Sequence, residues 1–169
     1  MNQKPSIVQL YAGTRPDGEP IYEKVAVVEA SAEGSNEAGE RYQLLHSPGF
    51  VRGIARGDRF ELISRKAGSF KVTWRSGNLA IRVYTRMPSQ SLDAVLTPQV
   101  NQLQGRRDVM SDFLLVYSIG LEAGFEAIES VFDQALEGTP DASWNYGNVY
   151  DEFSGDPLNW WLRKPGATH

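Results

Sequence analysis

Two histidines, His46 and His169, are the only residues that could serve as a neutral-pH proton shuttle. A hydrolytic centre needs a histidine oriented by a carboxylate and touching a nucleophile. His46 could fill that role, but no nucleophile-elbow pattern accompanies it. His169 is the last residue and offers nothing to position it. Cysteine is absent, which removes disulfides, thiolate catalysis and thiolate metal sites. No H-E-x-x-H spacing and no calcium-loop pattern occur, so no metal and no cofactor are expected. Asp151 and Glu152 are adjacent, with Asp156 close by. Neighbours on an extended segment point to opposite sides, so this set reads as an acidic rim and not as a catalytic pair.

A second candidate is "SPGFVRGIARGDRF", Ser47 to Phe60, which holds Arg52, Arg56 and Arg59 among three glycines. A glycine loop that cradles phosphate is followed by a helix whose free N–H groups face the anion. Here a strand pattern follows, so the glycines are assigned to turns. The three arginines remain as an alternative anion site, for nucleic acid or a small molecule, beside Phe50, Phe60, Phe70 and Trp74. Against it, aromatic and basic residues alternate, which sends the rings inward. The overall pI of about 5.2 also opposes a polyanion.

Charge is segregated along the chain. Arg41 to Arg86 holds ten Lys/Arg against Asp58 and Glu61, whereas Asp108 to Asp156 holds eleven Asp/Glu and no Lys or Arg. Within the acidic half, Trp144, Tyr146, Tyr150, Phe153, Trp160 and Trp161 stand beside Asp151, Glu152 and Asp156. Tryptophan and tyrosine anchor interfaces, and a carboxylate rim speeds capture of a basic partner. The leading expectation is therefore a non-enzymatic module that docks on a basic protein partner, a toxin or enzyme, in the manner of an immunity or inhibitor protein. The docking residues are Trp144, Tyr146, Tyr150, Asp151, Glu152, Asp156, Trp160 and Trp161, with both terminal indoles facing outward. A hydrolase using His46 is a further alternative.

The elements that would carry these residues follow from periodicity. Residues 1–21, with "GTRPDGEP", read as a loose lead-in. Residues 22–86 alternate as five or six short antiparallel strands, including "FVRGIA", and suggest a small bent or closed barrel. In "RFELIS", Phe60 and Leu62 point inward; Phe70, Val72 and Trp74 form one face of the next strand. Residues 87–153 change period. A helix begins after Ser89 or Ser91 and carries Pro98, where a kink or break is expected, and Gly105 ends it. "GFEAIESVFDQALEG" is amphipathic at helical spacing. With the strands around them these helices give a β-α-β-β-α-β order from Asn78 to Phe153, a ferredoxin-like unit. The fold class is thus α+β, with residues 154–169 as a tail. No run of about 18 apolar residues is present. The opening residues lack the order of a secretory signal, so a cytoplasmic location is expected.

"YEKVAVV", "RYQLLHSPGFVRGIARGDRFEL", "WRSGNLAIRVY" and "GFEAIESVFDQALEG", in this order, resemble the bacterial family catalogued as domain of unknown function 4265. The resemblance spans roughly Tyr22 to Tyr150. It implies a bacterial α+β domain and carries over no catalytic residue.

Overall fold

The computed structural model describes residues 3–30 and 39–163. Two antiparallel sheets, each with its own core, meet at one loop. The first sheet has strand order β1-β2-β3-β4-β5: β1 (Ser6–Thr14), β2 (Pro20–Glu29), β3 (Glu40–Leu44), β4 (Arg59–Ser64) and β5 (Ser69–Trp74). Its inward residues follow strict alternation. Val8 and Leu10, Val25 and Val27, Tyr42 and Leu44, Phe60 and Leu62 are all buried in one cluster.

Three expectations are corrected here. The sheet is open and not a closed barrel: β1 and β5 are its edges, and they meet where the Tyr11 N–H donates to the Gly68 carbonyl at 2.9 Å. The supposed lead-in contains β1, whose Val8 and Leu10 are needed to fill the inner face. "FVRGIA" is not a strand; it lies in the ordered loop between β3 and β4, which drops Val51 and Ile54 into the same core.

The second sheet has order β7-β8-β6-β9: β6 (Asn78–Thr85), β7 (Arg106–Ser111), β8 (Leu114–Gly120) and β9 (Ala142–Tyr146). β6 therefore pairs with the later strands and not with the sheet that precedes it. Helix α1 (Gln90–Gln102) joins β6 to β7, and α2 (Phe125–Leu136) joins β8 to β9. Leu79, Ile81 and Val83 of β6 and Leu115, Tyr117 and Ile119 of β8 pack on Leu92, Leu96 and Val100 of α1 and on Ile128 and Phe132 of α2. Both helices thus cover one face of the sheet. Pro98 stays inside α1 and does not end it, and Ser89 sits at its start without a side-chain cap: the Ser89 hydroxyl donates instead to the Ser111 carbonyl at 2.6 Å.

The opposite face of β6 and β8 looks toward the β3–β4 loop, residues 45–58. A loop between two sheets cannot join either ladder, so side chains must satisfy its backbone. Glu23, on the inner face of β2, accepts from the N–H groups of Gly49 (2.8 Å), Phe50 (2.9 Å) and Val51 (2.9 Å). From the other sheet Tyr84 donates to the Gly49 carbonyl at 3.1 Å, and the Arg82 guanidinium donates to the Phe50 carbonyl at 3.4 Å and to the Val51 carbonyl. Arg82 is 2% exposed, and burial holds its guanidinium below the usual arginine range. Farther along, buried Asp58 accepts from the Ala55 N–H (3.0 Å), the Ser76 N–H (2.9 Å) and hydroxyl (3.0 Å), and Arg75 (3.3 Å). Burial pushes the Asp58 carboxyl above the usual carboxylate range, against the pull of Arg75 and these hydrogen bonds. Gly53 and Gly57 have φ of 82° and 87°, a conformation that side chains disfavour, so the glycines do serve turns. The loop cradles an anion as well, but that anion is the chain's own Glu23.

Replacing Asp58 with alanine removes the countercharge of largely buried Arg75 and leaves the Ala55 and Ser76 N–H groups without their acceptor, and should cost about 3–5 kcal/mol of unfolding free energy in urea titrations. Glu23→Ala, at a partly hydrated site, should cost about 1–2 kcal/mol. Tyr117 supplies a pH test. Burial raises its phenol from 10.0 to about 12, so the folded state keeps a proton that the unfolded state has lost. Its contribution is complete below pH 10 and is lost as pH rises through about 12. A tyrosinate absorbance titration should show a component near pH 12 that Tyr117→Phe diminishes.

Candidate functional site

His46 follows β3 and is exposed. Its Nδ1 lies 2.8 Å from an Arg106 nitrogen and 3.8 Å from Asp108 Oδ1. Arginine can only donate, so Nδ1 is the acceptor and Nε2 carries the proton of the neutral ring. A histidine base needs the reverse tautomer, with Nδ1–H on the carboxylate and a free Nε2. The hydroxyls nearby bypass the ring. The Ser118 hydroxyl donates to Asp108 Oδ2; the Ser47 N–H donates to the same oxygen at 2.8 Å; and Ser47 and Ser118 hydroxyls lie 2.6 Å apart. Ser47 is fully buried, and its oxygen also accepts from the Arg56 N–H at 2.9 Å. Asp108, with a buried side chain held by Arg106 at 2.6 Å, therefore works as a tie between the loop and β7–β8. His169 lies outside the described residues.

The acidic half has a different organisation. Amphipathic α2 buries Ile128 and Phe132 and leaves Glu126 and Asp133 exposed. On β9, the Trp144 indole N–H donates to Asp133 at 2.8 Å, and the Tyr146 hydroxyl donates to Glu129 at 3.4 Å. Burial, with Glu129 beside it, pushes the Tyr146 phenol upward. Ring contacts then run without a gap: Phe132 to Trp144 (5.5 Å), Trp144 to Tyr146 (5.1 Å), Tyr146 to Phe125 (5.6 Å), Phe125 to Trp161 (5.4 Å), and Trp161 to Trp160 (5.7 Å). Separations of this size are the favoured range for tilted and edge-to-face pairs. The seam fastens the C-terminal segment to α2 and β9.

The outward-facing indoles are corrected by this arrangement. Trp160 is 6% exposed; its indole N–H donates to the Asn148 carbonyl at 2.7 Å, and the Arg75 guanidinium lies 5.4 Å from its ring centroid. Trp161 is half-buried. Asn159, with φ of 58°, starts the short turn Trp160–Leu162 that directs one ring inward and the next along the seam. Asp151 is also occupied. Its Oδ1 accepts from the Phe153 and Ser154 N–H groups, both at 2.9 Å, which holds the carboxyl below the usual range.

The structure brings the remaining residues together on a hairpin. Tyr150 and Pro157 form a bridge, the Asp151 N–H donates to the Asp156 carbonyl at 2.8 Å, and the Leu158 N–H donates to the Val149 carbonyl at 2.8 Å. At its tip Phe153 is 90% exposed, flanked by exposed Glu152 and Asp156, with Tyr150 at the base 49% exposed. Phe153 was not among the expected docking residues, although it stands in an acidic turn three residues after Tyr150.

Among the described residues the ion pairs lie mostly on one side of the joint: Arg41–Glu61, Arg65–Glu40 and Arg75–Asp58 belong to the first sheet and its loops, Arg106–Asp108 and Arg107–Asp93 to the second sheet and α1, and His46–Asp108 crosses. Of the three arginines in the loop region, Arg52 is exposed and Arg56 half-buried, while Arg59 is exposed and stacks 4.8 Å over Trp74. Trp74 does not share the inward face with Phe70 and Val72: the register shifts between Arg59 and Phe60, and Trp74 pairs with Arg59. Among the described residues no three potential metal ligands converge, and no helix is long and apolar enough to cross a membrane.

The family model described as Domain of unknown function (DUF4265) matches residues 11–142, so the hairpin and the terminal indoles lie beyond the matched part. A solved structure described as a hypothetical protein from Neisseria gonorrhoeae resembles this chain with a TM-score of 0.58 at 12% identity, covering 87% of this chain and 95% of that one. At that identity the likeness concerns the fold. No curated protein matches the chain.

Trp160→Ala should remove a buried ring with its hydrogen bond and cost about 3–5 kcal/mol in denaturant titrations, whereas Phe153→Ala should change stability by less than about 0.5 kcal/mol.

Proposed function

We propose, for a chain that belongs to the DUF4265 family, that it is a non-enzymatic protein-binding module of the immunity or inhibitor kind, which occludes a basic bacterial toxin or enzyme in the cytoplasm. The observation that carries this reading is the Phe153 hairpin. A phenylalanine 90% exposed gains nothing from folding of its own chain. Yet the turn beneath it is held by the Asp151 carboxylate, by backbone bonds on both sides and by Gly155 at φ of 75°. A rigid aromatic knob needs little ordering on binding, so more of its contact energy appears as affinity. Glu152 and Asp156 around it, and Glu126 and Asp133 on the neighbouring helix, favour encounter with cations.

In this reading the docking set is Phe153, Tyr150, Glu152 and Asp156. Trp144, Tyr146, Trp161 and Asp151 act from behind as supports, and Trp160 locks the base. We read the second sheet with α1 and α2 as a ferredoxin-like unit, which the strand order β7-β8-β6-β9 with both helices on one face supports. The alternative use of His46 in a hydrolase has the weaker support, because its Nδ1 is taken by Arg106.

The test immobilises the chain, exposes it to lysate of its host, and reconstitutes each captured protein in pure form. The reading expects a partner rich in Lys and Arg whose affinity falls about thirtyfold with Phe153→Ala, the size of an interface hot spot. Glu152→Lys should slow association and flatten its salt dependence. Capture indifferent to a Phe153→Ala/Glu152→Lys double variant would overturn the proposal.

A further inference from the structure

β1, β5, β7 and β9 form the margins of the two sheets. An unpaired margin is a template for another chain unless something blunts it. Three of these strands are blunted. β1 shifts register between Tyr11 and Gly13 and gives its Tyr11 N–H to Gly68. β5 shifts register twice against β4 and carries Lys71. β7 shifts between Arg107 and Val109 and carries Arg106, Arg107 and Asp108. β9 has none of these devices: it reads "ASWNY", without charge or proline, and its register with β6 is unbroken.

The ladder fixes which groups of β9 face outward. Just past one end of the strand the Gly147 N–H donates to the Ala80 carbonyl at 2.8 Å, and just before the other the Arg86 N–H donates to the Asp141 carbonyl at 3.1 Å. Antiparallel bonding alternates along a strand, so Ser143 and Asn145 also bond to β6, and Trp144 and Tyr146 turn their N–H and carbonyl groups away from it. Among the described residues no hydrogen bond reaches those outward groups, whereas the Ala142 N–H is taken by the Thr139 carbonyl at 3.1 Å. The flank of α2 stands over the same margin. Glu126, Glu129 and Asp133 recur at spacings of three and four, which places them on one side of the helix. Trp144 reaches Asp133 and Tyr146 reaches Glu129, so that side is the β9 side. Glu126 and Asp133 are exposed, and none of the three carboxylates joins an ion pair among the described residues.

We propose that the β9 margin receives an extended segment of a basic protein as an added strand, with Lys or Arg at alternate positions. The outward groups of Trp144 and Tyr146 pair with residues i and i+2 of that segment, as in other strand-addition complexes. Residues directly opposite in a ladder put their side chains on the same face. The two cations therefore stand on the helix side, beside Asp133 and Glu129, which have no Lys or Arg of their own between Asp108 and Asp156. The residue between them falls on the other face, beside exposed Ser143 and Asn145. The same carboxylates disfavour a second copy of this chain, because joining two β9 margins sets one acidic α2 flank against the other. The site goes beyond the hairpin reading and does not rest on it.

The experiment is fluorescence anisotropy of the full chain with a labelled peptide of alternating arginine and threonine, about seven residues long as strands commonly are. This peptide should bind, and a glutamate–threonine peptide should not. N-methylation of the arginines, whose N–H groups face β9, should weaken binding at least about tenfold, whereas N-methylation of the threonines, whose N–H groups face solvent, should leave it unchanged. Asp133→Asn and Glu129→Gln together should weaken it about fivefold with an unchanged circular dichroism spectrum. Phe153→Ala should bind the peptide as the parent chain does, so this site and the hairpin fail separately. Absence of binding of the arginine–threonine peptide at low ionic strength overturns the proposal. So does binding that arginine N-methylation leaves intact, because that outcome is charge attraction without a ladder. Dimerisation of the chain that Ser143→Lys and Asn145→Lys abolish gives the margin to a second copy and overturns it as well.

Discussion

The rest of the structure depends on one constraint: residues 45–58 run between two sheets without belonging to either ladder. Every backbone N–H and carbonyl trapped there needs a partner, or costs about 1–3 kcal/mol. The partners are side chains from both sides, most of them acidic or basic. Glu23 meets three N–H groups from the first sheet, Arg82 and Tyr84 meet three carbonyls from the second, and Asp58 and Asp108 hold the two ends. Burying such groups is costly in isolation, which explains why each carries several hydrogen bonds. Arg82 Nε is left without one. Gly147 packs on it so closely that a Cβ would lie 2.8 Å away, so backbone and guanidinium are fitted there with no room for water.

Because the loop consumes its own charges, two separate cores can coexist in one chain. Val51 and Ile54 complete the inner face of the first sheet, while the backbone around Gly49 lies against Leu114 and Val116 of the second. The first sheet is then free to expose its other face, and the second is free to spend its helix-covered face on α1, α2 and the tail. That division keeps the basic and acidic surfaces apart. It also explains why the ion pairs remain mostly local, with His46–Asp108 at the joint itself.

Local patterns were legible wherever a segment's environment was set by its own period. Phe60 and Leu62 point inward as their alternation requires, and α2 buries Ile128 and Phe132 at helical spacing. Illegible features depended on partners distant in sequence. Closure of a sheet is decided by whether its two outermost strands pair, and nothing in β1 or β5 alone specifies that. The strand character of Ser6–Thr14 was hidden by the adjacent turn residues, although Val8 and Leu10 alternate with polar neighbours. The bulge that turns Trp74 outward is a two-against-one mismatch between β4 and β5, invisible to a period-two reading of β5. Glu23 looked like an ordinary strand carboxylate because the N–H groups it binds begin 26 residues later.

The terminal indoles show why composition alone misjudges a surface. Six aromatics among many carboxylates suggest an exposed patch, yet neighbouring rings can satisfy one another. From Phe132 to Trp160 each ring has an aromatic neighbour within 5.7 Å. Polar tips are met as well, by Asp133, Glu129 and the Asn148 carbonyl. Adjacent tryptophans can both be used because a short helical turn separates their directions, so one enters the core and the other extends the seam. Phe153 has no place in that chain, since the hairpin carries it past the last contact and the Asp151 cap prevents the turn from folding back. The two aromatics left outside, Tyr150 and Phe153, are thus identified by the internal network that excludes them and ranked by exposure, 49% against 90%, and not by how many aromatics the segment contains.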